Sequence, residues 1–323
     1  MSPRADQENG GDGGADDLAR LDANPAFRAL VERLGRGGEA SAGELWGSSQ
    51  ALVLAALLQR VQGPWLVLVA TDLEAEVVAA DLETLGTRPL LFPAREEPGG
   101  RAAEADLDAI RDRLQVAQRL SGPPERRPRL LVASLLSMLQ PIPSAAEIEG
   151  QFLHLAVNQR LVPEELLERL VATGYTRQPL AEAPGEVSLR GDILDVFPFA
   201  AELPLRIELF DDEVESLRTF EPEDQRSIES LPSVSICIAS DAGGVEDGRG
   251  ALPARILAPT TVFVSVEPLR ILDQAEGLRI RSSSHARALA QLEEAAAGHP
   301  RLALQSLPSE DQNFGARSVQ APP

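Results

Sequence analysis

The chain has 323 residues, which at roughly 150 residues per domain predicts about two domains. Hydrophobic residues make up 43% and charged residues 25%, which are ordinary globular values and exclude disorder throughout. Thirty basic residues against fifty acidic ones give a net charge of −20, and every basic residue is arginine. The absence of lysine excludes a Schiff-base lysine, a P-loop lysine and a catalytic lysine base. The acidic balance also disfavours a large DNA-binding face.

The single cysteine, Cys237, excludes an internal disulfide and a C-x-x-C pair, which favours a reducing cytoplasm. Residues 1–20 are rich in glycine and aspartate and lack the pattern of a secretory signal, so we expect a disordered acidic tail there. The longest purely apolar run, Ala51 to Leu58, is far shorter than the ~20 residues of a membrane span. The sequence therefore predicts a soluble, cytoplasmic protein with no membrane partner.

The first part of the chain alternates helical segments with short apolar strands, which predicts a parallel α/β sheet. The predicted helices are Pro25 to Leu34, Gln50 to Val61, Thr71 to about Leu85, Ala103 to Leu120 and Val162 to Thr173. The predicted strands are Trp65 to Ala70, Pro89 to Phe92 and Arg129 to Ser134.

After Gly174-Tyr175 the period of the pattern changes from about 3.6 to 2, which indicates antiparallel strands. These strands are Glu186 to Arg190, Ile193 to Phe197, Leu205 to Phe210 and Val214 to Phe220. The α/β pattern then resumes with strand Val234 to Ile238, a Gly- and Asp-rich loop at 241–250, strand Thr261 to Val266, helix Ala286 to Ala297 and strand Arg301 to Leu304. We therefore predict an α/β domain in two parts, 21–145 and 231–323, interrupted by a β-rich domain at 146–230.

The segment Gly47-Ser48-Ser49-Gln50 precedes a helix, where a nucleotide-binding fold would carry its phosphate loop. A working P-loop needs a lysine and a Ser or Thr after the glycine, and Gln50 and Ala51 stand there instead. We therefore expect a degenerate loop that only caps a helix, with no ATP hydrolysis and no cofactor.

The remaining polar candidates do not predict a catalytic or metal site. The three histidines lack an i, i+4 partner and are expected at the surface: His154, His285 and His299. Cys237 lies in an apolar alternation and is interpreted as structural. The acidic cluster is interpreted as a solvated hairpin turn rather than a cation site, and comprises Asp211, Asp212, Glu213 and Glu215.

Arginines recur in the β-rich segment. Alternation along residues 205–210 puts Arg206, Glu208 and Phe210 on one face of a strand, and Arg190 has a comparable position. Arginines with an aromatic residue are typical of a protein–protein interface. A solvated face with cross-strand ion pairs explains the same pattern equally well, so both interpretations stay open.

Residues 185–198 (GEVSLRGDILDVFP) and 205–218 (LRIELFDDEVESLR) resemble the interaction domain shared by UvrB and the bacterial transcription-repair coupling factor. The continuation at 219–227 (TFEPEDQRS) and the upstream Gly174-Tyr175 are more similar to the coupling factor. The flanking sequence, from about Leu45 onward, resembles the N-terminal UvrB-homology region of that factor less closely.

The resemblance implies a degenerate RecA-like nucleotide-binding fold without ATPase activity, and an interaction domain that binds UvrA in nucleotide excision repair. Position by position, Arg190, Arg206 and Glu208 match charged interface residues of the family motif. Glu208 would orient Arg206 or meet an arginine of the partner. Arg177 and Phe197 are further matches, although alternation along the strand buries Phe197 equally well.

The family protein continues into domains that this chain, ending at Pro323, does not have: an RNA polymerase-interacting domain, a DNA translocase and a C-terminal domain. Polymerase contact, DNA contact and translocation are therefore not expected of it. Since the C-terminal domain covers the UvrA-binding face in the family protein, this chain is expected to bind UvrA constitutively. A nucleotide-dependent enzyme of the excision-repair helicase group and a decoy that sequesters UvrA stay open as alternatives.

Overall fold

The computed structural model describes residues 21–95, 107–143, 152–199, 201–237 and 251–315. The predicted tail at 1–20, the loop at 241–250 and the first turn of the helix predicted from Ala103 lie outside the described residues. The helices are α1 (Pro25–Gly35), α2 (Ser49–Arg60), α3 (Asp72–Thr84), α4 (Leu107–Ser121), α5 (Leu135–Leu139), α6 (Pro163–Ala172), α7 (Pro268–Arg281) and α8 (Ser283–Ala296). The strands are β1 (Glu39–Gly43), β2 (Trp65–Val69), β3 (Leu90–Phe92), β4 (Leu130–Ser134), β5 (Phe152–Ala156), β6 (Thr176–Arg177), β7 (Glu186–Arg190), β8 (Ile193–Val196), β9 (Leu205–Phe210), β10 (Glu213–Phe220), β11 (Ser227–Leu231), β12 (Ser233–Cys237), β13 (Val262–Val266), β14 (Arg301–Leu304) and β15 (Gln312–Asn313).

The chain divides into two compact units. The parallel-sheet unit takes the chain up to Phe92, Pro128–Leu139 and the residues from Leu257 onward, and the β-rich unit takes Pro93–Arg127 and Gln140–Ile256. These bounds differ from the domain bounds expected from the sequence, at 145/146 and 230/231. Periodicity detects where the type of element changes, whereas a unit is decided by the core against which each segment packs. The helix α4 accordingly belongs to the β-rich unit.

Seven strands form the sheet of the parallel-sheet unit, in the order β15-β1-β14-β13-β2-β4-β3. Each described pair is parallel, and Val264 of β13 lies opposite Val67 of β2. Every residue of β2 and β4 is buried, which is typical of central strands in a parallel sheet. The predicted α/β fold class is confirmed.

Helix starts in this unit follow from local side-chain chemistry. Asn24 accepts a hydrogen bond from the amide of Ala26 and so caps α1, while Pro25 takes the first helical position. Thr71 and Glu74 form a capping box at the start of α3, in which each side chain accepts from the other's backbone amide. The sequence predicted both helices because these signals are local.

A six-stranded sheet forms most of the β-rich unit, in the order β11-β10-β9-β8-β7-β6. Its pairs are antiparallel except β6 with β7. Gly191 and Asp211 turn the two hairpins with φ of 59° and 53°. One face packs against α6 in a core that includes Val187, Leu194, Val196, Leu205, Ile207, Leu166, Leu167 and Leu170.

Strand β1 and helix α7 are absent from the sequence-based prediction. β1 consists of Glu-Ala-Ser-Ala-Gly, which has low β propensity, and its strand state comes from parallel pairing with β14 and β15. α7 buries Ile271, Ala275 and Leu278 at helical spacing, but exposed Leu269, Leu272 and Ile280 on its other face obscure that period in the sequence. Among the described residues, no helix has the length and apolar character needed to cross a membrane.

Candidate partner-binding site

The face of the six-stranded sheet that does not pack against α6 carries a row of charged side chains. Asp195 of β8 lies opposite Arg206 of β9, and Arg206 lies opposite Arg218 of β10. Directly opposed residues of antiparallel strands point to the same side, and alternation adds Arg190 of β7 and Glu208 of β9. We call these five residues the arginine face.

Asp195 is the centre of the arginine face. Its side chain is 0% exposed and accepts hydrogen bonds from Arg190 Nη2 at 2.7 Å, Arg206 Nε at 2.7 Å and Arg206 Nη2 at 2.8 Å. The contact with Arg206 is bidentate, which is the strongest form of an arginine–carboxylate pair. Two guanidinium groups on one carboxylate compensate the burial of its charge and leave one excess positive charge.

Arg206 is held on several sides. Its side chain is 13% exposed, donates a further bond of 2.7 Å to Gln225 Oε1 and lies 4.4 Å from the centroid of the Phe220 ring, a cation–π contact. The hydrogen bond to Asp195 raises the pKa of the Arg206 guanidinium, while burial acts in the opposite direction. Because that pKa is raised on folding, the resulting stabilisation is fully present at lower pH and is lost only as the pH rises through the folded value.

Arg190 is the more accessible arginine. Its side chain is 43% exposed while one of its nitrogens bonds to Asp195. Phe210, on the same side of the sheet, is 71% exposed. An oriented cation and an exposed aromatic ring on one face of a sheet form the combination that protein interfaces favour.

Glu208 has its own partners on the neighbouring strand. It accepts a hydrogen bond of 2.7 Å from Ser216 Oγ and forms an ion pair with Arg218. The sequence predicted that Glu208 would either orient Arg206 or meet an arginine of the partner. In the structure, Asp195 orients Arg206. Asp195 lies directly across the strand pair from Arg206, whereas Glu208 lies two residues along the same strand.

Two matched residues lie away from the arginine face. Phe197 follows β8 and is 5% exposed, so its ring belongs to the core. Arg177 is exposed on the edge strand β6, in register with Val187, whose side chain faces the core. The sheet thus brings together Arg190, Arg206 and Glu208 but neither of the other two.

The segment Gly47 to Gln50 runs from the connection after β1 into the first turn of α2. Gly47 has φ of 56°, and Ser48 occupies the N-cap without a capping bond from its side chain. Ser49 Oγ donates to the carbonyl of Trp46 at 2.8 Å, so neither serine side chain caps α2 in the expected way. Gln50 donates from Nε2 to the Leu45 carbonyl at 3.1 Å and to Glu267 at 2.6 Å.

The histidines have three different environments. His154 is exposed, and Nδ1 of the half-buried His299 lies 3.1 Å from the Thr261 carbonyl oxygen. His285 is 7% exposed on the inner side of α8, so its expected surface position is wrong. Within the described ranges, no group of three or more histidine, cysteine, aspartate or glutamate residues has a geometry that could hold a metal ion.

Comparison with known proteins assigns the β-rich segment. Residues 153–241 match the UvrB interaction domain family. The chain contains a UvrB interaction domain. It is 33% identical over 213 residues to the transcription-repair-coupling factor of Bacillus subtilis (65% of this chain, 18% of the relative). It is 31% identical over 274 residues to that of Myxococcus xanthus (81% and 22%) and 28% over 201 residues to that of Escherichia coli (62% and 17%).

The chain spans about a fifth of the length of the first two relatives. The matched segments extend well beyond the UvrB interaction domain, which confirms the predicted resemblance to the N-terminal UvrB-like region of the coupling factors.

Sequence reasoning missed Asp195, the central residue of the charged row in the UvrB interaction domain. A signal was present, because Asp195 interrupts an otherwise apolar strand between Leu194 and Val196. A carboxylate that is fully buried must be paired, so its position predicts a cationic partner on an adjacent strand.

Proposed function

We propose that this chain is a non-catalytic binding module that recruits UvrA to nucleotide excision repair through the arginine face of its UvrB interaction domain. The observation that carries the proposal is the half-exposed Arg190, fixed by a buried carboxylate on the face of that domain opposite α6. The relatives are transcription-repair-coupling factors, which agrees with a role in repair.

The residues of the arginine face and Phe210, on the same side of the sheet, have different roles in binding. Arg190 supplies a charge-assisted bond to a carboxylate of UvrA, and Phe210 adds apolar contact area. Asp195 and Arg206 are positioning residues, since their bonds to each other fix the carboxylate that orients Arg190. A cation that is already oriented loses less side-chain entropy on binding.

The test is isothermal titration of the full chain into UvrA from the same organism, without DNA or ATP. Arg190→Ala is expected to weaken binding by about 1 to 4 kcal/mol, the range of an interface hot spot. The matched control is Arg169→Ala, an exposed arginine on α6, which covers the other face of the sheet. No saturable binding by the unchanged chain, or an equal loss in both variants, would overturn the proposal.

The non-catalytic part of the proposal rests on the segment Gly47 to Gln50. The chain has no lysine to reach a phosphate there, and the Gln50 amide is engaged by Leu45 and Glu267. Trp46, which adjoins the segment, is 48% exposed and reports on it by fluorescence. ATP and ADP are expected to leave this fluorescence unchanged, with no phosphate released. A saturable change would contradict the non-catalytic part and leave the UvrA interface standing.

A further inference from the structure

The parallel-sheet unit has a cavity of about 460 Å³ at the carboxyl ends of β2 and β13. Val69 and Val266, the last residues of these strands, line it together with Gly47, Ser48, Gln50 and Glu267. In open α/β sheets this end of the strands is where ligands bind. All residues that line the cavity belong to the parallel-sheet unit, so a role for the cavity is independent of whether the other unit binds UvrA.

The Glu267 carboxylate receives three hydrogen bonds from distant parts of the chain. Oε1 accepts from Gln50 Nε2 at 2.6 Å and from the Ser306 amide at 2.9 Å, and Oε2 accepts from Ser306 Oγ at 3.2 Å. Gln50 belongs to the segment in which a P-loop would present its donors to phosphate. A side-chain amide, a backbone amide and a hydroxyl are also the donors that anion sites use.

The backbone of Glu267 is adapted to this contact. Glu267 has φ of 51° and ψ of 66°, a left-handed conformation that residues other than glycine adopt rarely. It connects β13 directly to α7, and its own amide donates to the Leu304 carbonyl at 2.8 Å. The strained position persists because these bonds hold it there.

We infer that Glu267 is a resident anion, whose carboxylate occupies the position at which a phosphate group would meet the segment Gly47 to Gln50. Carboxylate and phosphate oxygens compete for the same donors, so the internal side chain leaves none of these three for a ligand. Of the other charged residues that line the cavity, Glu74 forms an ion pair with Arg270, and Asp81 adds a further carboxylate. The three donors that meet Glu267 are thus occupied by a side chain of the protein itself.

The inference is tested by removing the carboxylate and supplying an external anion. Glu267→Gly keeps the left-handed backbone, which glycine adopts without cost, and frees the three donors. Both tryptophans of the chain, Trp46 and Trp65, belong to the parallel-sheet unit, so tryptophan fluorescence reports its thermal unfolding. At constant ionic strength, phosphate and acetate are expected to raise the unfolding temperature of Glu267→Gly saturably and to leave that of the unchanged chain constant.

The matched control is Glu44→Gly. Glu44 is a half-buried glutamate of the same unit with φ of 56°, and its carboxylate makes no hydrogen bond to another described residue. Glycine therefore relieves the same backbone conformation in both variants, while an anion site opens only at residue 267. Equal responses of the two variants to phosphate and acetate, or saturable stabilisation of the unchanged chain, would overturn the inference.

A second pair of variants covers the case in which Glu267→Gly does not fold. Glu267→Gln keeps the size of the side chain but replaces one accepting oxygen by an NH2 group. That donor then competes for space with the donors of Gln50 and Ser306, which have lost an acceptor. Its unfolding temperature is expected to lie about 4 to 8 °C below that of Glu44→Gln, given the loss of charge-assisted bonds in a domain of this size. Equal unfolding temperatures would contradict a resident anion at Glu267.

Discussion

Asp195 shows how one buried side chain sets the properties of an exposed one. Its carboxylate is removed from water, and its partners among the described residues are the guanidinium groups of Arg190 and Arg206. Such a group gives little net stability to the fold compared with an apolar residue, but its removal leaves two cations without their anion. The Asp195 carboxylate instead fixes the orientation of the Arg190 guanidinium, and with it the direction from which a partner can bind.

The first prediction concerns Asp195→Asn, which keeps the shape and removes the charge. The free energy of unfolding of the β-rich unit is expected to fall by about 3 to 5 kcal/mol, the cost of breaking a buried ion pair. The single tyrosine, Tyr175, lies in this unit, so urea unfolding is followed by tyrosine absorbance. Asp192→Asn, at the exposed hairpin next to β8, is the control and should unfold like the unchanged chain. Equal stability of the two variants would show that Asp195 is not the centre of the arginine face.

At the scale of single elements, α4 is fixed to the β-rich unit by a buried arginine. Arg113 is 0% exposed and donates to the carbonyls of Pro93 at 3.0 Å and Pro141 at 3.2 Å, with a longer contact of 3.5 Å to Gln140. One side chain thus satisfies carbonyls of two separate chain segments of the β-rich unit, at residue 93 and at residues 140–141.

Arg113→Met is expected to lower the free energy of unfolding of the β-rich unit by about 2 to 4 kcal/mol, because two or more buried or partly buried carbonyls lose their donor. Tyrosine absorbance during urea unfolding measures the loss. Arg119→Met, on the exposed side of the same helix, should change stability by less than about 0.5 kcal/mol. A similar effect of both substitutions would mean that Arg113 contributes only its aliphatic packing.

Another element, β1, depends on a glycine at its end. A Cβ on Gly43 would lie 2.3 Å from the Ser309 amide nitrogen and 2.5 Å from the Leu307 carbonyl oxygen, both of them backbone atoms that cannot rotate away. Gly43→Ala is therefore expected to displace the chain that pairs with β1 and to cost about 3 kcal/mol or more. Gly35→Ala, where nothing lies within 4 Å, is the control. Tryptophan fluorescence during urea unfolding should report a loss for the first variant alone.

At the scale of the whole molecule, net charge limits the partners. The chain carries −20 at pH 7, and the one excess positive charge of the arginine face is local. Affinity for nucleic acid comes mainly from neutralising phosphates, so a duplex is repelled by most of this surface. The same charge keeps the protein away from other polyanions, whereas a carboxylate that reaches Arg190 meets a favourable local field.

We therefore expect the chain alone to bind duplex DNA more weakly than about 100 µM at physiological salt, the weak end of non-specific binding. Fluorescence anisotropy of a labelled duplex measures this. A saturable rise at micromolar protein that falls steeply with added salt would contradict the expectation and would indicate a phosphate-binding surface.

Parts of the fold follow from local sequence. The apolar runs of β2 and β4, the capping box at Thr71 and the alternation in β9 specify their elements within a few residues, so the sequence predicts them. β1 and β15 do not carry such a pattern: β1 becomes a strand by pairing with β14 and β15, and β15 by pairing with β1. Propensity fails where the partner, and not the segment, supplies the stabilisation.

The sequence by itself determined the α/β class with a β-rich segment, the absence of any lysine chemistry and the resemblance that assigns the interaction domain, because these depend on composition and contiguous motifs. Only the tertiary structure decided which charges meet. Asp195 meets Arg206 across a strand pair, and Glu267 meets Gln50, 217 residues away, where two parallel strands end side by side. Such contacts depend on sheet register and strand order, which no local pattern encodes.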